Sequence, residues 1–147
     1  MAELTDDYLN GNWKGFLTRK IGKTEEEQVE RTINFSLQLS SSAGEISGSL
    51  ADEETSEIMN EPATFNGFID EAFISFILQY PFYYSHNEEG ELLYNEDAEH
   101  PPVHYSGEYI AEEECFRGIW EIEYYVHDVV EESQLFVETG NWEMKKQ

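Results

Sequence analysis

Val103-His104-Tyr105-Ser106-Gly107-Glu108-Tyr109-Ile110 is followed, after the acidic turn Ala111-Glu112-Glu113-Glu114, by a second alternating run from Phe116 to His127. In the first run Val103, Tyr105, Gly107 and Tyr109 alternate with His104, Ser106, Glu108 and Ile110. In the second, Phe116, Gly118, Trp120, Ile122, Tyr124 and Val126 alternate with Arg117, Ile119, Glu121, Glu123, Tyr125 and His127. A period of two with one greasier face predicts a pair of half-buried strands. Each carries a central glycine, which marks a bend, a bulge or a close backbone approach. The device recurs in Ile46-Ser47-Gly48-Ser49-Leu50 and in Phe65-Asn66-Gly67-Phe68-Ile69. A sheet coiling into a barrel needs such a repeat.

Outward from this pair the same period continues. Thr5 caps a short helical turn within residues 1–10, with Asp6 and Asp7 suited to its N-terminus and Leu4, Tyr8 and Leu9 closing one barrel end. The first strand spans Asn12 to Lys20. In the second, Val29, Arg31, Ile33, Phe35, Leu37 and Leu39 share a face that only Arg31 interrupts. After a turn at Ser40 to Gly44, the third strand runs from Glu45 to Ala51, the fourth from Ala63 to Ile69 and the fifth from Ala72 to Tyr80. Phe73, Ile74, Phe76, Ile77 and Leu78 leave the fifth strand no polar face, which predicts cover on both sides.

Residues 81–102 are too long for a simple connection, since most take about 4–6 residues. Phe82, Tyr83, Tyr84, Leu92, Leu93 and Tyr94 bracket Asn87-Glu88-Glu89-Gly90, which predicts a protruding hairpin or flap. The last strand runs from about Ser133 to Met144. A bulge at Gly140 would let Leu135 and Val137 share the inner face with Trp142 and Met144; without it, Phe136, Glu138, Trp142 and Met144 do. The bulge is favoured, because the other register buries Glu138 and would call on Arg31 as its partner. Eight short strands without crossover helices predict one all-β domain over residues 1–147, an up-and-down antiparallel barrel. An eight-stranded barrel is just wide enough to be filled by side chains or to hold one small ligand.

Charge bounds the partners. Residues 32–144 hold 25 acids against one base, Arg117, whereas the remaining residues hold seven of each, so this stretch carries the whole net charge of −24. Such a field repels nucleic acid and anionic membranes and speeds encounter with basic partners. A hydrophobic fraction of 39% with 14% aromatics excludes a disordered acidic tail. The start of the chain lacks the basic and apolar regions of a signal peptide, and Cys115, the one cysteine, allows no internal disulfide. The expectation is a reduced, cytoplasmic setting.

Gly11-Asn12-Trp13 opening the first strand, the glycine-centred strands, and Tyr105-Ser106-Gly107-Glu108-Tyr109 with Phe116-Arg117-Gly118-Ile119-Trp120 resemble the calycin barrels, the lipocalin and avidin group. The resemblance implies that the opening Trp13 packs at the closed end beneath a late basic residue, which Lys145 or Lys146 would supply. The polar set with which avidins grip biotin has no counterpart, and the leader and disulfides usual in secreted lipocalins are missing, so neither biotin binding nor an extracellular carrier role is implied.

Motifs for chemistry are sparse. His100 and His104 flank Pro101-Pro102, which hold the segment extended and separate the two backbones by about 13 Å, too far to share one ion. The acid clusters lack the alternation and glycine of a calcium loop, and Cys115 sits in no known nucleophile signature. A binding protein without catalysis, metal or cofactor is expected. Trp13, Tyr105, Tyr109, Trp120 and Tyr124, with Arg31 as polar contact, are the candidate ligand residues, gated by Phe82, Tyr83, Tyr84, Leu93 and Tyr94. The alternative is an acidic inhibitor or immunity-type protein that binds a basic protein, or imitates nucleic acid, through its outer wall. A lumen of about 300 Å³ or more beneath the flap favours the first reading, and a filled lumen the second.

Overall fold

The computed structural model describes residues 4–21, 26, 28–87, 89–127 and 133–147, with backbone alone for residues 21, 124–127 and 133–136. Thr5 caps α1 (Asp6–Leu9) by accepting the Tyr8 amide at 3.1 Å. The strands follow as β1 (Gly11–Ile21), β2 (Val29–Ser42), β3 (Glu45–Asp52), β4 (Ala63–Asp70), β5 (Phe73–Gln79), β6 (Tyr83–His86), β7 (Leu92–Asn95), β8 (Val103–Ile110), β9 (Cys115–His127) and β10 (Ser133–Lys146). Eight of them close a barrel in the order β1-β10-β9-β8-β5-β4-β3-β2, and β6-β7 form a separate hairpin. Every pairing is antiparallel, so the fold is the meander expected, consistent with a calycin-like barrel. No helix among the described residues is long and apolar enough to cross a membrane.

Mid-strand glycines lie beside inward aromatic rings, and this packing explains their repeat. Gly48 pairs with Phe65, Gly67 with Phe76, Gly118 with Trp142, and Gly140 with Trp120. Large rings fold across the bare backbone opposite and fill the lumen. Phe65, Phe76, Tyr105 and Trp142 interlock there, with Phe76 stacked on Tyr105 at 4.9 Å and 10°. At the closed end Trp13 is wholly buried, donates to the Leu9 carbonyl at 2.9 Å, and lies 5.8 Å beneath the Lys146 ammonium. This is the tryptophan and late base pairing that the resemblance implied. Leu9 is buried at this end, and Leu4 and Tyr8 pack against the core beside it.

Two expectations are corrected. There is no bulge at Gly140, because the β9–β10 ladder runs without interruption from Ser133↔His127 to Lys145↔Cys115. Trp142 and Met144 face in while Val137 is exposed, so Glu138 takes the inner side. It escapes the cost of burial because its position is the open barrel mouth, where water reaches it. Gly140 serves a different purpose: a Cβ there would stand 2.2 Å from the Thr18 carbonyl and 2.4 Å from the Trp120 indole nitrogen. The indole passes over Gly140 and donates to Thr18 at 2.9 Å, where β10 parts from β1.

The second correction concerns β5. Ile74, Phe76 and Leu78 are buried, but Phe73 and Ile77 are exposed, so only the inner face is covered. Among the described residues nothing forms a second layer over Phe73 and Ile77.

Candidate functional site

The barrel mouth is assembled from parts that the chain delivers separately. On β1, Trp13, Gly15, Leu17 and Arg19 fall on one parity, so the face that buries Trp13 and Leu17 also carries the Arg19 guanidinium inward. There it lies 5.4 Å from the Trp120 ring and 5.6 Å from the Tyr84 ring. Its Nη2 donates to the Tyr84 hydroxyl at 3.2 Å, its Nη1 meets His86 Nδ1 at 3.0 Å, and Glu54 lies 3.7 Å away. Burial alone would weaken the charge, but Tyr84 and Glu54 hold the guanidinium more firmly protonated than usual.

Because arginine only donates, His86 Nδ1 must accept and its proton sits on Nε2. That nitrogen lies 2.8 Å from a Glu54 carboxylate oxygen but without the alignment of a hydrogen bond. Arg19 thus ties the hairpin to the barrel wall. From β2, Arg31 adds a bond from Nη1 to the Gly90 carbonyl at the hairpin tip, 3.3 Å long. The tip is shaped by Asn87, whose side-chain oxygen accepts from the amides of Glu89 and Glu91 at 2.9 Å each.

Beneath the hairpin Tyr80, Tyr84 and His100 pack ring on ring, with Tyr84 and His100 stacked at 4.8 Å and 19°. Tyr80 donates to the buried Asp52 at 2.8 Å, which raises the phenol further above its ordinary range than burial alone. Asp52 also accepts from the amide and hydroxyl of Thr55, at 2.6 and 2.9 Å. His100 is buried and its pKa is pushed down to about 4, chiefly by loss of hydration. Its Nδ1 donates to the Pro101 carbonyl at 2.7 Å, which fixes the neutral tautomer.

A pH dependence follows from His100. The unfolded chain takes up its proton near 6.5, the folded chain only near 4, so full stability holds above pH 6.5 and is lost as pH falls toward 4. The loss from this group is about 3 kcal/mol. His100→Phe, which keeps a ring against Tyr84, is expected to lose this pH dependence, so that its urea stability relative to the parent chain shifts by about 3 kcal/mol in the variant's favour as pH falls from 6.5 to 4. An unchanged difference would refute the assignment.

Between these groups lies a cavity of about 280 Å³, lined by Arg19, Tyr80, Tyr83, Tyr84, His86, His100, Val103, Tyr105, Trp120, Ile122 and Glu138 among others. It occupies the mouth alone, for the lumen below is filled by rings. The mouth cavity falls just short of the about 300 Å³ anticipated for an open lumen, and the lumen below it is the filled one. Of the candidate ligand residues, Tyr105 and Trp120 border the cavity, as do Tyr83 and Tyr84 of the flap. Trp13 and Tyr109 lie at the opposite end, where the Tyr109 and Tyr8 hydroxyls are 3.0 Å apart. Tyr109 borders a more open depression of about 920 Å³ beside α1, whose lining includes Asp6 and Glu71. Arg31 is exposed, and Phe82 and Tyr94 pack on each other away from the cavity at 5.7 Å. Leu93 is exposed; the Tyr124 side chain lies outside the described residues.

Among the described residues no three histidine, cysteine or carboxylate side chains gather as a metal site. Cys115 is buried at the start of β9, and burial together with Glu143 raises its thiol pKa, which disfavours a nucleophile. No family model, no curated protein and no solved structure matches the chain.

Proposed function

We propose that this chain is a non-enzymatic, calycin-like binding barrel that takes one small apolar or aromatic molecule at its mouth, beneath the β6–β7 hairpin. The observation that carries this reading is the cavity of about 280 Å³ with a preformed wall of rings, among which Arg19, Lys20 and Glu138 are the charged side chains. Its volume is near the lower bound for ligand pockets, which suits a compact planar molecule rather than a long lipid. Tyr84, Tyr105, Trp120 and His100 offer flat faces, and Arg19, Lys20, Gln28, Asn87, Glu138 and the Tyr105 hydroxyl are among the polar groups able to orient a guest. Kinship with the lipocalin branch is supported by the Trp13 and Lys146 pairing.

The neutral fluorophore 1-aminoanthracene provides a test. It is expected to bind the full chain saturably with one site, to be lost in both Val103→Phe and Ser85→Trp, which fill the cavity from opposite walls, and to persist in Gln38→Trp on the outer face. Absence of saturable binding, or equal binding by both filled variants, would remove the proposal.

A further inference from the structure

Among the described residues the outer wall is largely polar, and β4, β5 and β9 gather a group of apolar side chains on it. On β2 the outward positions are Glu30, Thr32, Asn34, Ser36, Gln38 and Ser40, without one apolar side chain. On β4, β5 and β9, Phe68, Phe73, Ile77 and Ile119 stand outward with 48%, 41%, 54% and 49% of their surface exposed. Strand register gathers them. Phe68, Ser75, Ser106 and Ile119 form one transverse row across β4, β5, β8 and β9, and the Phe68 and Phe73 rings are 6.0 Å apart. Ser75 and Ser106 separate Phe68 from Ile119, about 14 Å apart at ordinary strand spacing, and the His104 imidazole reaches across to the Ser75 hydroxyl at 2.9 Å.

Acids surround this patch. Glu45 pairs with Phe68, Asp70 and Glu108 both pair with Phe73, and Glu121 pairs with His104 beside Ile77. The only lysine or arginine on these four strands is Arg117, already bound by Glu143 at 2.7 Å and Glu113 at 2.8 Å. An apolar centre inside a charged rim is the plan of a protein interface.

We infer that the outer face of β4, β5, β8 and β9 docks a partner protein whose apolar side chains are ringed by lysine or arginine. Charge complementarity selects this occupant. A second copy would bring two acidic rims together, each on a chain of net charge −24, and the same field turns away nucleic acid and anionic lipid. The patch alone is smaller than the roughly 800 Å² that each side of a standard interface buries, so it forms the centre and the carboxylates the surrounding contacts.

Peptides selected from a random display library on the immobilised full chain test this directly. Enriched sequences are expected to combine Lys or Arg with Trp, Phe or Leu. Their affinity should fall about tenfold or more in Phe68→Ser/Ile77→Ser, which leaves the net charge untouched. It should also fall in Glu108→Gln/Glu121→Gln and stay unchanged in Glu30→Gln/Glu91→Gln, which removes the same charge elsewhere. The mutated side chains are solvent-facing, and circular dichroism checks that each variant folds. No enrichment, enrichment of uncharged or acidic peptides, indifference to the patch substitutions, or self-association through the patch in sedimentation would each overturn the inference.

Discussion

Gly118→Ala is expected to cost about 4 kcal/mol or more, or to yield no folded chain, in urea denaturation followed by circular dichroism. The added Cβ would sit 1.9 Å from the Ser106 carbonyl oxygen and 2.5 Å from the Gly107 Cα, both backbone atoms of β8. Backbone cannot step aside as a flexible side chain can, so β8 and β9 must separate at the middle of their ladder. The damage spreads, because Trp142 pairs across Gly118 and its indole donates to the carbonyls of Ser106 and Ile119 at 3.2 and 3.0 Å. Moving β8 therefore breaks a partly buried hydrogen bond and unseats the ring that packs on Phe76 and Tyr105. A stability within about 1 kcal/mol of the parent would show that close glycine packing does not hold the barrel shut.

Asp52→Ala is expected to cost about 4 kcal/mol, whereas Asp52→Asn costs about 1 kcal/mol. Alanine leaves the Thr55 amide, the Thr55 hydroxyl and the Tyr80 phenol without their acceptor in a site where Asp52 is 3% exposed. Asparagine keeps an oxygen toward Thr55 and turns its amide toward the phenol oxygen, which accepts instead. Because Tyr80 packs edge-on against Tyr84, the alanine variant should also loosen 1-aminoanthracene binding while the asparagine variant retains it. Equal stability of the two variants would place the anchor of the mouth elsewhere.

The barrel was legible because strand periodicity is local and each glycine repeat announced the same packing. The mouth was less so, for definite reasons. Arg19 shares its parity with Trp13 and Leu17, so a strict reading of β1 turns it inward; the candidate residues did not include it, and Arg31 stood in its place. Arg31 continues the apolar parity of β2, but that parity outlasts the buried wall, and Val29 and Arg31 are both exposed. His86, His100 and Glu54 stand in segments without period, where no spacing places a side chain. Glu138 was misjudged by applying the penalty for a buried charge to a position that water reaches. The outward phenylalanine and isoleucine of β5 misled in the same way, since strand hydrophobicity says how apolar a face is and not whether anything covers it.

Occupancy of the mouth is the claim on which the functional reading rests, and native mass spectrometry of the full chain purified from its own host measures it most directly. The account predicts the chain mass plus one small molecule of roughly 300 Da or less, released on collisional activation and missing from both Val103→Phe and Ser85→Trp. A bare chain under the gentlest conditions, or the same adduct on both filled variants, would contradict it.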